Sequence, residues 1–155
     1  MENPTKVFDG ATAAAGPFDR VTQLPDDWRL ARAAHADLLL MGMPRVNVLL
    51  IGAERVVRGV VDSLMADLIR PVKEWAPGIP FELPDPTRRG TLVLHDVGAL
   101  TPEDQLQLVQ WIERARGNCQ VISTSRVSLL PKIENNTFVD VLFYRLNVVC
   151  LDLRA

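Results

Sequence analysis

Cysteine and histidine are scarce here, two of each in 155 residues. Two thiols, Cys119 and Cys150, build no disulfide framework, and neither His35 nor His95 has neighbours spaced to share a metal, so no metal site is expected. Both cysteines lie in apolar, strand-like runs and read as small buried hydrophobes in a reducing compartment. A dominant charge is also missing. Nineteen acidic and 17 basic side chains leave a formal charge of -2, so no strong field draws nucleic acid or an anionic membrane, and direct DNA binding is not expected. No apolar run is long enough to span a bilayer, and none follows a charged start as in a signal peptide. The expectation is a cytoplasmic protein without membrane contact.

What is present is ordinary for a globular domain: 48% apolar and 23% charged residues, with enough chain to bury a substantial core. Residues 1–25 carry Pro4, Gly10, Gly16, Pro17 and Pro25 and read as a flexible arm; residues 26–155 read as one domain. Trp28, Ala31, Ala34, Leu38 and Met41 recur at helical spacing behind Asp26 or Asp27, until Gly42 and Pro44 stop that helix. An apolar run over 46–51 ends at Gly52 and leads into Val57, Val60, Val61, Leu64, Leu68 and Val72 at helical spacing, with Pro71 expected to kink or end the helix. Residues 79–83 suit a short edge strand bounded by Pro80 and Pro84. Thr101-Pro102-Glu103-Asp104 starts a helix whose buried stripe is expected at Leu106, Val109 and Ile112, with Trp111 at its margin. Strands over 119–124 and 148–153, with a helical patch over 138–145 between them, complete five strands alternating with helices. The pattern predicts a three-layer α/β/α sandwich with a parallel sheet.

The stretch Gly90-Thr91-Leu92-Val93-Leu94-His95-Asp96 is central to this plan. An unbroken apolar run between glycines suits a strand buried on both faces, and chemistry in such sheets sits at the strands' carboxyl ends. His95 and Asp96 are therefore either site residues or the polar end of a buried strand. While the strand continues, adjacent side chains point to opposite faces, so the two share a site only if it has already ended.

Three blocks then carry a resemblance: Gly90 through Leu100, the strand ending Ile122-Ser123-Thr124-Ser125-Arg126, and Phe138-Val139-Asp140-Val141-Leu142-Phe143-Tyr144-Arg145-Leu146-Asn147-Val148-Val149. In order and spacing they resemble the AAA+ central domain of sigma-54-dependent transcription activators, where the segments read like GTLFLDEIGEL, a strand ending in ATN or TTN, and FREDLYYRLNVV. The resemblance covers about residues 46 to 153 and implies the P-loop NTPase sheet order 5-1-4-3-2.

It also implies a nucleotide site, from which this sequence departs. The family's GESGTGKE-like loop corresponds to Gly52-Ala53-Glu54-Arg55-Val56-Val57-Arg58-Gly59. Gly52 persists and Arg58 stands at the lysine position, but Arg55 and Val57 replace inner glycines, and β-branched valines are expected to crowd the phosphate space. His95 stands at the position of the family's aspartate, a poor ligand for magnesium as neutral imidazole, and Asp96 at that of its glutamate. Ser125 aligns with the sensor asparagine. Val139 replaces the first arginine of the FREDLYYRLN segment and Arg145 retains the second, as either an interface remnant or a structural pair. No GAFTGA-like loop lies between Gly59 and Gly90, so no sigma-54 contact is expected, and no counterpart of the helical lid follows Leu153.

The resulting expectation is a non-catalytic AAA+-like remnant serving as a protein-interaction or regulatory module, with no cofactor. Its partner or second copy is expected on the aromatic segment Phe138, Val139, Phe143, Tyr144 and Arg145. The rival is a weak ATP-binding protein or NTPase linked to transcription regulation, in which ATP and magnesium meet the remnant Gly52, Arg58, His95, Asp96 and Ser125, and Asp96 and Arg145 carry any surviving catalysis. A third reading is an unrelated small-molecule enzyme using His95 and Asp96.

Overall fold

Parallel strands buried on both faces need helices above and below them, and the chain supplies both layers. The computed structural model describes residues 46–154 and, before them, Ala33 alone. The expected arm over 1–25 and the helix over 26–41, with His35, lie outside the described residues. Five strands, β1 (Val48–Ile51), β2 (Val72–Trp75), β3 (Gly90–Leu94), β4 (Cys119–Ser125) and β5 (Val149–Asp152), form one sheet in the order β2-β3-β4-β1-β5. Every pairing is parallel. Read from the other edge this is 5-1-4-3-2, the expected order.

The central strands β1, β3 and β4 are buried at every position, while β5 alternates between half-buried and exposed, as an edge strand does. One layer is helix α1 (Glu54–Leu64), whose Val57, Val60, Val61 and Leu64 pack with Val48, Leu50, Val93 and Ile122. The other is built on α2 (Pro102–Ala115) and α4 (Asp140–Leu146), which bring Leu108, Trp111, Ala115, Leu142 and Leu146 together with Leu49, Leu92, Leu94 and Val121. Between β4 and α4 lies the short helix α3 (Leu130–Glu134), in a stretch without a clear sequence signal.

Four expectations are corrected. Helix α1 ends at Leu64 and not near Pro71, and the second strand is Val72–Trp75 and not 79–83. Proline has no amide to donate and disfavours helix in the residue before it. The chain around Pro71 instead serves the sheet: the Thr91 amide donates to Pro71 O at 3.0 Å and the Thr91 hydroxyl to Ile69 O at 2.8 Å. Residues 79–84 form a loop that packs Phe81 and Leu83 against the α2-side core and is held by indoles, with Trp75 Nε1 donating to Ile79 O at 3.0 Å and Trp111 Nε1 to Pro84 O at 2.6 Å. The buried stripe of α2 is Gln105, Leu108, Trp111 and Ala115, while Leu106 is exposed. A polar residue heads that stripe because its amide is spent on backbone: Gln105 Nε2 donates to Leu100 O (3.0 Å) and Thr137 O (3.1 Å), and Oε1 accepts from the Val139 amide (2.8 Å). The start of α2 is as expected, with the Thr101 hydroxyl capping the Asp104 amide at 3.1 Å. Of the two cysteines Cys119 is buried, but Cys150 is exposed because β5 lies at an edge.

Candidate functional site

The carboxyl ends of β2, β3 and β4 and the first turns of α1 surround a cavity of about 290 Å³ lined by Glu54, Val57, Arg58, Ala76, Pro77, His95, Asp96, Thr124 and Arg126. This is where an open α/β sheet offers a ligand crevice. His95 and Asp96 both line it because β3 stops at Leu94. Asp96 adopts a left-handed conformation (φ 51°, ψ 59°), and its amide donates to the Thr124 hydroxyl at 3.0 Å. That turn brings together two side chains which continued strand geometry would have separated.

The charged groups around the cavity are paired. Arg58 meets Glu54 at 3.2 Å one helical turn away, Arg126 meets Asp96 at 3.2 Å, and His95 Nε2 lies 3.2 Å from Glu74 Oε1. Arg58 and Arg126 thus each have a carboxylate beside them.

The connection from β1 to α1 is only Gly52-Ala53, because helix begins at Glu54. Residues 54–59, aligned with the phosphate-wrapping loop, are therefore helix. Val56 and Val57 are almost fully buried on the helix, so the expectation that they crowd phosphate space as loop residues is corrected. Gly52 also has another role: its amide donates to Ser125 O at 2.9 Å, and a Cβ there would lie 3.2 Å from Leu153 Cβ. Its small size suits close packing against the chain after β5.

Ser125 is buried, with its hydroxyl donating to Val127 O at 2.6 Å, and it faces a second cavity. Thr124, one residue earlier, is the β4 side chain at the first. Sequence reasoning also missed Glu54, Glu74 and Arg126. Applying the carboxyl-edge rule to β4 as well as β3 would have found Arg126.

The aromatic segment divides between core and surface. Phe138 is buried with Leu142 and Leu146, and Val139 is half-buried against the same core, so Phe138 is not an exposed interface residue as expected. Tyr144 is 72% exposed, with its ring edge-on to half-buried Phe143 at 5.6 Å, and Val141 is exposed beside them. Arg145 lies 3.9 Å from Glu113 of α2, the geometry of a structural pair.

Neither thiol is activated: burial, then Asp85, pushes Cys119 up, and partial desolvation, then Asp152, raises Cys150. Among the described residues no group of three or more His, Cys, Asp or Glu is placed to hold a metal, and no helix is long and apolar enough to cross a membrane.

The sheet order and the Gly90-to-Leu100 turn agree with a family model, the Sigma-54 interaction domain, which matches residues 45–155. The chain belongs to this family. Among solved structures, the sigma-54 interaction domain is similar to NtrX from Brucella abortus in complex with ADP, with a TM-score of 0.60 and 17% identity over 88% of this chain and 41% of that one. NtrX in complex with ATP gives 0.54 and 19%, covering 87% and 37%. Drosophila ORC bound to GC-rich DNA and Cdc6 gives 0.57 and 10%, covering all of this chain and 64% of the other. At such identities the likeness is one of fold, and the chain spans about two fifths of the NtrX chains. No curated protein matches the sequence.

Proposed function

We propose that this AAA+ domain, related to sigma-54 activators, no longer acts as an ATPase and serves as a protein-interaction or regulatory module in the cytoplasm. The observation that carries the reading is the two-residue link between β1 and α1. A phosphate cradle needs successive backbone amides of a loop turned toward the ligand, plus a lysine free to meet the charge. Here those amides belong to a helix from Glu54 onward, the residue at the lysine position is Arg58, and its guanidinium rests on the Glu54 carboxylate. Asp96, at the position of the family's catalytic glutamate, is likewise held by Arg126. One of its two carboxylate oxygens is thereby occupied by a guanidinium.

Exposed Tyr144 and Val141 beside Phe143 support an interaction surface on α4, for a partner or a second copy. One observation favours the rival reading of weak nucleotide binding: Arg58, His95 and Asp96 still line a cavity at the sheet's carboxyl edge, and NtrX, of the same fold, has been solved with ADP and with ATP. Calorimetry with ATP and magnesium separates the two. No saturable heat at about 1 mM ligand is expected. A saturable heat that disappears in Arg58→Ala would replace the module with a nucleotide-binding protein.

A further inference from the structure

Behind the Asp96–Arg126 pair, on the side away from α1, lies a cavity of about 500 Å³ lined by Asp96, Gly98, Ala99, Ser125, Arg126, Val127 and Lys132. The geometry points to this cavity as a receptor for carboxylate side chains on an acidic, leucine-rich segment of a partner protein. The inference rests on the reading of the domain as a protein-interaction module, and it names the chemistry of the partner.

Charge is the first argument. Lys132 is half-buried, and its ammonium is fixed by donating to Gly98 O at 3.2 Å, with no carboxylate partner among the described residues. Arg126 gives one amino group to Asp96 Oδ2 at 3.2 Å, and its side chain is 63% exposed, so other donors of the fork remain for a ligand. Two cations against one carboxylate leave the cavity with an uncompensated positive charge, which an incoming carboxylate neutralises with charge-assisted hydrogen bonds.

The second argument is preorganisation. A Cβ on Gly98 would come within 3.3 Å of Leu129 Cδ2, a tight approach, and 3.4 Å of Lys132 Cε, an ordinary contact, so the lysine stem packs closely over the glycine. The Ser125 hydroxyl bonds to Val127 O at 2.6 Å and Thr124 holds the Asp96 amide, fixing both walls before any partner arrives. The third argument is the rim. Val127 and Leu130 are 55% and 54% exposed on the segment that supplies Arg126 and Lys132, so apolar side chains between the acids would find cover there.

The probe is a fluorescein-labelled peptide of alternating glutamate and leucine, followed by fluorescence polarisation on the full chain. A matched peptide carries glutamine in place of glutamate. Binding of the glutamate peptide is expected to weaken about tenfold for the glutamine version, and as much for Lys132→Met, which keeps the stem against Gly98. Lys132→Glu and Arg126→Glu should abolish it, while Arg114→Glu, on exposed α2 surface, should leave it unchanged. Thermal melts confirm that the variants fold. Equal binding by Lys132→Glu, or none by the wild type up to about 1 mM peptide, overturns the proposal. Displacement of the peptide by a few mM inorganic phosphate, roughly the affinity of a simple anion site, also overturns it in favour of a small-anion pocket. ATP binding lost in Arg58→Ala would refute the non-catalytic reading yet leave the peptide result standing, because Arg58 lines the other cavity.

Discussion

Gln105 is the sharpest test of how the domain is held together, because one fully buried amide joins the start of α2 to the segment ahead of α4. It is 1% exposed, and its three hydrogen bonds reach Leu100 before α2 and Thr137 and Val139 ahead of α4. Gln105→Leu removes all three bonds at once and leaves two carbonyls and one amide without their partner, the Leu100 carbonyl in a buried setting and the other two partly buried. Each unmet group costs roughly 1–1.5 kcal/mol at the lower end of the usual range, so the three together cost about 3–4.5 kcal/mol. Burying a leucine side chain in the same space returns about 1–2 kcal/mol. The net loss is therefore about 1–3.5 kcal/mol, or roughly 2–14 °C in Tm for a domain of this length. Urea unfolding should show a lower midpoint with an unchanged slope, and hydrogen exchange should show the Val139 amide losing protection first. A loss below about 1 kcal/mol, with the Val139 amide as protected as before, would refute the claim that this amide fastens α4 to the core.

Leu94→Asp should prevent folding, since Leu94 is fully buried in β3 and a charge there has no partner, whereas His95→Ala, one residue beyond the strand, should keep the native circular dichroism spectrum. Severe destabilisation by the histidine change would make His95 a core group. Gly90→Ala places a Cβ 2.8 Å from Pro71 O, a backbone atom, and should cost about 1–3 kcal/mol by chemical denaturation; an unchanged midpoint would show that the two strands shift apart freely. Arg154 hydrogen bonds, from its side chain first and its backbone second, lower Asp152 to about 2 from 3.8. Because the folded value is the depressed one, its stabilisation is present above 3.8 and fades as pH falls through about 2, and an NMR titration midpoint near 3.8 would contradict the pairing. Tyr144→Glu should abolish any concentration-dependent sedimentation without loss of stability, because the ring is exposed; Val139→Glu is a poorer probe, as it disturbs a half-buried side chain whose amide binds Gln105. Identical sedimentation of wild type and Tyr144→Glu at all concentrations, together with unchanged partner recovery, would remove α4 as an interface.

Much of the architecture was legible in the residue pattern. The apolar runs at 46–51 and 92–94 and the mixed stretch 119–124 mark the central parallel strands, and Thr101 with Pro102 marks the start of α2, because burial on two faces and helix capping are local demands that leave local signatures. The resemblance carried by Gly90 through Leu100 and by 138–149 pointed to the family that the matched domain shows. The edges were less legible: Val72–Trp75 has a weaker pattern than 79–83, and only the open ladder beside Thr91 decided which of the two pairs.

The site was legible as a place but not as an arrangement. Carboxyl ends of strands follow from sheet order, so His95, Asp96 and Arg58 could be named in advance. Which carboxylate neutralises which cation depends on where helix α1 begins and how the chain turns after Leu94, and these are set by packing. Val57 shows this most clearly: as a letter in an alignment it stands in a phosphate loop, yet it is packed with sheet residues from a helix that already begins at Glu54. Sequence alone determined that His95 and Asp96 reach the edge of the sheet; the tertiary structure decided that Glu54 meets Arg58, that Asp96 meets Arg126, and that Lys132, among the described residues, meets a backbone carbonyl and no carboxylate.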